Sequence, residues 1–145
     1  MQTVITNKIA VFIDSSFFLA LKNFKDKNHN SAKIWMSRLL KGEQGTIYTS
    51  NFVFGELVTV ALTRLKDPVK AIAIGKFIME SPRIQMLTVL PSDEGECWAL
   101  FQRHARDYLS YVDCTILQMC KTRGIDLVAT YDIHFKGLIG LLIGF

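Results

Sequence analysis

The sequence predicts an α/β domain in which helices wrap a mostly parallel sheet of four to five strands. Short apolar runs rich in β-branched residues alternate with longer helical patterns along the chain, and alternation of this kind builds parallel sheets. The apolar runs are continuous rather than alternating, which suits strands covered on both faces. No linker, low-complexity tract or internal repeat interrupts the pattern, so residues 1–145 are expected to form a single domain.

The first strand is IAVFI, Ile9 to Ile13, after which Ser15 or Ser16 is placed to cap a helix starting at Phe17. The polar stretch KNFKDKNHN ends that helix. Asn30 or Ser31 then caps a second helical pattern with Ile34, Trp35 and Leu39 as its apolar positions. Gly42 to Gly45 turn the chain into TIYTS, Thr46 to Ser50, the second strand, with Asn51 as the expected cap of the helix NFVFGELVTVALTRL. Asp67 and Pro68 read as N-cap and first helical residue of VKAIAIGKFIME, which Ser81 and Pro82 close. Ile84 to Leu90 is the third strand, followed by a helix from Pro91 to about Arg106. After a break at Asp107 to Ser110, a helix runs from about Val112 to Thr122, ended by Gly124, and Leu127 to Thr130 makes the fourth strand. The apolar tail GLIGLLIGF is either a last edge strand or a surface that packs on a partner.

Half of the residues are hydrophobic, and 145 residues suffice to bury a core without disulfides. Cys97, Cys114 and Cys120 show neither a CxxC pair nor a zinc spacing, so they are expected to be buried thiols. No apolar run reaches the ~18 residues of a membrane span. The start MQTVITNKIAVF lacks the order of a signal peptide, and the cytoplasm is the expected compartment. A net charge of +4 spread over scattered basic residues gives only mild attraction for polyanions.

Asp14 is the one charge in the apolar run VFIDSSFFLAL, and a buried unpaired carboxylate costs several kcal/mol. It needs a compensating partner. In open parallel sheets ligands bind outside the carboxyl ends of the strands, and both Asp14 and Asp132 follow strands. Glu56 is the one acid on a mostly apolar helix face, and Asp113 opens a helix, where free N–H groups favour an anion. Taken singly, each has a structural reading as turn, cap or solvated residue. Gathered at one edge they would repel unless a cation neutralised them, and hard oxygen ligands favour Mg²⁺ or Mn²⁺.

The segments FIDSS, TSNFVFGEL and DYLSYVDCTILQMCKTRGIDLVATYDIHF, in this order and spacing, resemble the PIN domain family, and within it the VapC-like toxins. The resemblance implies a three-layer α/β/α sandwich and a metal-dependent endoribonuclease. It carries Asp14, Glu56, Asp113 and Asp132 over as metal-binding acids, with Ser15 and Thr130 as supporting hydroxyls and Asp107 as an outer acid or a loop cap. It also implies a homodimer and a cognate antitoxin, and GLIGLLIGF departs from the polar end usual in such toxins. Asp14 and Asp113 are then the direct ligands, while Glu56 and Asp132 act through water or a second ion.

Arg64, Lys66, Lys22, Lys25 and Lys27 are read as phosphate contacts or as a solvated basic surface, and His134, two residues from Asp132, as a structural residue in the first place or as one facing the substrate. Trp35 and Trp98 are expected in the core. Two competing readings remain. A phosphoaspartate protein is disfavoured by Asp-Ser-Ser in place of DxD, and a catalytically inactive PIN-like RNA-binding or interaction domain is disfavoured by the presence of all four acids.

Overall fold

The computed structural model describes residues 9–141. Residues 1–8 of the N-terminal stretch and residues 142–145 of the apolar tail lie outside the described residues. Five strands make one sheet: β1 (Ala10–Ile13), β2 (Thr46–Ser50), β3 (Ile84–Leu87), β4 (Leu127–Ala129) and β5 (Gly140–Leu141). Their order is β3-β2-β1-β4-β5 and every pairing is parallel. The helices are α1 (Ser15–Lys22), α2 (His29–Leu40), α3 (Asn51–Leu65), α4 (Pro68–Glu80), α5 (Pro91–His104) and α6 (Tyr111–Arg123).

Side chains along β1 alternate between two buried layers, as the pleat requires. Val11 and Ile13 enter one core with Phe17 of α1, Leu39 of α2, Leu57 of α3 and Ile74 of α4. Phe12 and Val128 enter the other with Cys97 of α5 and Ile116 and Met119 of α6. The result is the expected three-layer α/β/α sandwich. All three cysteines are buried and free. Among the described residues, no helix is long and apolar enough to cross a membrane.

The element boundaries differ from expectation where side chains found other partners. Asp14 caps α1, its carboxylate accepting from the Ser15 N–H, so the helix begins two residues before Phe17. Ser50, not Asn51, caps α3 through a 3.2 Å bond from the Val53 N–H. The Asn51 amide oxygen instead accepts from the Val89 N–H at 2.8 Å and ties α3 to the segment after β3. The second helix starts at His29, ahead of the expected cap, and Asn28 makes no side-chain cap bond there. β3 stops at Leu87, opposite Ser50, because β2 is its one neighbour and ends there. The tail supplies β5 at the sheet edge, paired with β4 from Gly140↔Leu127 onward. Trp98 is a plain correction: it is 54% exposed, stacked on Phe101 on the outer side of α5, not in the core.

Candidate active site

The chain builds outward from β1 to β2 and β3, then crosses to lay β4 on the other side of β1. Such a switch leaves a crevice beyond the carboxyl ends of the two central strands. Ile13 is fixed there from both sides. Its carbonyl accepts from the buried Thr49 hydroxyl at 3.0 Å, and the following Asp14 N–H donates to the Ala129 carbonyl at 3.1 Å.

Asp14 is 2% exposed, with both carboxylate oxygens held by donors. Oδ1 accepts from the Ser15 N–H at 2.7 Å, and Oδ2 accepts from Ser16 Oγ at 3.0 Å and Thr130 Oγ1 at 2.8 Å. The Thr130 hydroxyl in turn accepts from the Asp132 N–H at 2.9 Å, while Ser16 Oγ accepts from the Tyr131 N–H at 3.0 Å. The two strand ends are thus stitched by hydroxyls. Ser15 Oγ stands 3.4 Å from Asp14 Oδ1 and 3.2 Å from Glu56 Oε2, and so links α1 to α3 with its single proton.

Asp113 lies in the first turn of α6 and is buried. Its Oδ2 accepts from the Ser110 N–H at 2.9 Å while its own N–H donates to Ser110 Oγ at 3.0 Å, a reciprocal capping box. Asp132 Oδ1 accepts from the His134 N–H at 2.9 Å and lies 2.7 Å from His134 Nδ1.

Burial and neighbouring charge raise three of the acids. Burial raises the Asp14 carboxyl above its ordinary range, against the bonds from Thr130, Ser15 and Ser16, and the Asp132 charge raises it further. Glu56 is raised by burial and then by the Asp14 charge, with the Ser15 bond and Arg64 opposing. Asp113 is pushed up to about 6, chiefly by burial, with the Asp14 and Asp132 charges adding to it. Among the described residues the ion pairs are Arg38 with Glu43, His104 with Asp107 and His134 with Asp132, so no lysine or arginine pairs with any of the four.

An all-oxygen, anionic donor set with no lysine or arginine paired to it has the chemistry of a site for a hard divalent cation. It is not a closed cage. Among the described residues, no three His, Cys, Asp or Glu side chains stand close enough together to form a ready ligand group. Each carboxylate is turned onto its own local donors instead.

The remaining expected residues are spread more widely. Arg64 is exposed on α3 two turns beyond Glu56 and attracts it. Lys66 is exposed at the left-handed end of α3, with φ 52°. Asp107 is 73% exposed in its side chain and faces His104 at 3.7 Å, with no hydrogen bond to the other acids. Ser16 is the residue whose place sequence reasoning undervalued. Two hydroxyls directly after a buried aspartate were the available signal.

The PIN domain family profile matches residues 11–139, and the chain belongs to that family. Its fold is that of a PIN domain. The 23S rRNA-specific endonuclease VapC20 of Mycobacterium tuberculosis is similar at 29% identity over 126 residues, 87% of this chain and 92% of that protein. The crystal structure of VapC20, described as a sarcin-ricin loop cleaving toxin, superposes with a TM-score of 0.76 over 88% of this chain and 94% of that one. VapBC2 of Rickettsia felis, solved bound to a fragment of its promoter, shares the fold at a TM-score of 0.65 and 14% identity, covering 92% and 97% of the two chains. FitAcB of Neisseria gonorrhoeae does so at 0.60 and 16%, covering 92% and 96%.

Proposed function

We propose that the chain is a Mg²⁺- or Mn²⁺-dependent endoribonuclease that hydrolyses RNA phosphodiester bonds, and the toxin of a toxin–antitoxin pair. The single observation that supports this reading is that the Asp14 and Asp132 charges act on Glu56 and Asp113, with no lysine or arginine paired to any of the four among the described residues. RNA as substrate rests on the similarity to VapC20. A cognate antitoxin, a homodimer and a cytoplasmic location belong to the same reading, as does the view of the chain as one PIN domain.

Asp14 and Asp113 are the residues that would hold the ion directly, and Glu56 and Asp132 would reach it through water or hold a second one. A bound divalent ion supplies neutralisation of charge on the phosphoryl oxygens and acidifies a water toward neutral pH. Glu56 has the environment of a general base: half-buried, raised in pKa and held by one hydroxyl, it can take the proton from a water that attacks phosphorus. Ser15, Ser16 and Thr130 favour the ionised form of Asp14, against the effect of burial, and fix its orientation by donating to it.

The test is cleavage of RNA by the purified chain with Mg²⁺ or Mn²⁺ and with a chelator. Activity is expected only with the ion, and it is expected to fall at least about a hundredfold in Asp14→Asn and Asp113→Asn while the circular dichroism spectrum is kept. Undiminished cutting in the chelator would overturn the reading. Binding of RNA without any cutting would favour the non-catalytic alternative.

A further inference from the structure

The molecule carries a second feature of nucleic-acid character, away from the acids. Phe24 sits on the turn between α1 and α2 and is 70% exposed, although the turn itself is fixed. The Asn23 N–H donates to the Leu19 carbonyl, Asp26 N–H to that of Asn23, and His29 N–H to that of Asp26. His29 Nδ1 also lies 2.8 Å from the Ala20 carbonyl. Nothing in the core requires an aromatic at position 24.

Basic groups from two separate elements bracket this ring. Lys25 Nζ lies 5.9 Å from the ring centroid and Lys70 Nζ, from α4, 5.4 Å. Beside them Lys22 Nζ lies 3.9 Å over the Phe77 ring, and Lys27 is exposed on the same turn. None of these four lysines has a carboxylate within ion-pair distance among the described residues. The two acids of these segments are turned onto backbone, Asp26 accepting from the Asn28 N–H and Asp67 from the Lys70 N–H. A lone exposed phenylalanine is ordinary on a protein surface, but one set among unpaired ammonium groups on a fixed turn is the combination that binds single-stranded nucleic acid.

The position lies one short helix away from Asp14. Asp14 caps the first turn of α1, and Phe24 follows the C-cap Asn23 at its other end. Eight helical residues, about 12 Å of rise, separate them. No residue of α1 is exposed, so a strand whose phosphate lies at the acids would reach the turn across the neighbouring surface, a span of a few nucleotides.

We propose that Phe24, Lys25 and Lys70 form a subsite for the single-stranded RNA that flanks the cut, the phenyl ring stacking an unpaired base and the two ammonium groups swinging to the adjacent phosphates. The proposal rests on the nuclease reading for the identity of the ligand. Charge favours RNA over a second copy of this basic chain, which would bring the same lysines against one another.

The experiment is fluorescence anisotropy of a labelled single-stranded oligoribonucleotide in chelator, followed by cleavage kinetics with the ion. Phe24→Ala is expected to weaken binding about tenfold and to raise KM with kcat unchanged, Phe24→Trp to keep wild-type affinity, and Phe24→Leu to behave like alanine. The double change Lys25→Ala and Lys70→Ala is expected to lower the slope of log Kd against log salt by about 1.4. Wild-type affinity and KM in Phe24→Ala would sink the subsite and leave the nuclease standing. Wild-type affinity in Phe24→Leu would also sink it, since an apolar contact and not stacking would then be at work. A fall in mass of Phe24→Ala by light scattering would reassign the ring to a contact between copies. If the wild-type chain binds the RNA through Phe24 but never cuts it, the nuclease reading fails and the subsite survives.

Discussion

Asp14 draws its stabilisation from donors, not from a basic residue. Three hydroxyl or amide groups lie within 3.0 Å of its carboxylate, yet burial still outweighs them and holds its pKa high. The sequence exposed the aspartate because a charge in an apolar run is conspicuous. The residues around it did not expose the donor set, since Thr130 is 116 residues away; the family resemblance named Ser15 and Thr130 as supporting hydroxyls but gave Ser16 no such role. At the same scale, His134 has a role that can be separated from substrate contact. Its Nδ1 and its backbone N–H both meet Asp132 Oδ1, which leaves Oδ2 directed by that double hold. Asparagine offers an amide near the place of Nδ1, and glutamine one near Nε2. If His134 acts by orienting Asp132, His134→Asn keeps most of the cleavage activity and the Mn²⁺ affinity, while His134→Gln loses about ten- to a hundredfold in both. The opposite ranking in the same two assays would assign His134 to the substrate.

At the scale of elements, the boundaries of α4 and α6 were readable because caps are local. Asp67 with Pro68, and Gly124 after α6, stand where the pattern put them. The misplaced caps have separate causes, since Asn28 makes no side-chain cap bond at the start of α2. Ser50 won over Asn51 because Asn51 was drawn to Val89, a partner 38 residues away. Turns obey harder limits. Gly45 has φ +73°, and a Cβ there would come within 2.0 Å of the Ile9 carbonyl oxygen, whereas Gly124 at φ +67° has open space around it. Gly124→Ala is therefore expected to cost about 1 kcal/mol in urea unfolding, the left-handed penalty alone, and Gly45→Ala clearly more, with β1 and β2 pushed apart at their start. Equal losses in the two variants would refute the steric account.

For the molecule as a whole, the acid crevice links stability to pH and to metal. The Asp113 carboxyl has an ordinary value of 3.8 and stands at about 6 in the fold, so the folded chain holds that proton more tightly than the unfolded chain does. Its contribution is fully present below about pH 4 and is lost as pH rises through about 6; Asp14 and Glu56 are shifted in the same direction. Thermal melts in chelator are expected to show wild type losing more stability between about pH 5 and pH 7.5 than Asp113→Asn does. Added Mn²⁺ should raise Tm at the higher pH and do little at the lower, because the ion competes with protons for the carboxylates. Identical pH slopes in wild type and variant would show that Asp113 is not the coupled group.

The sequence by itself determined the alternation of strands and helices, the glycine and proline punctuation, and the positions of Asp14 and Asp132 just beyond apolar runs. Those features depend on residues within a turn or two of one another. Only the tertiary structure decided that β4 lies beside β1, which brings Thr130 and Asp132 to Asp14. It also decided that Trp98 faces outward and that Lys70 comes over from α4 to Phe24. Strand order and the covering of a helix face are settled by packing between segments far apart in the chain, and a local pattern holds no record of that packing.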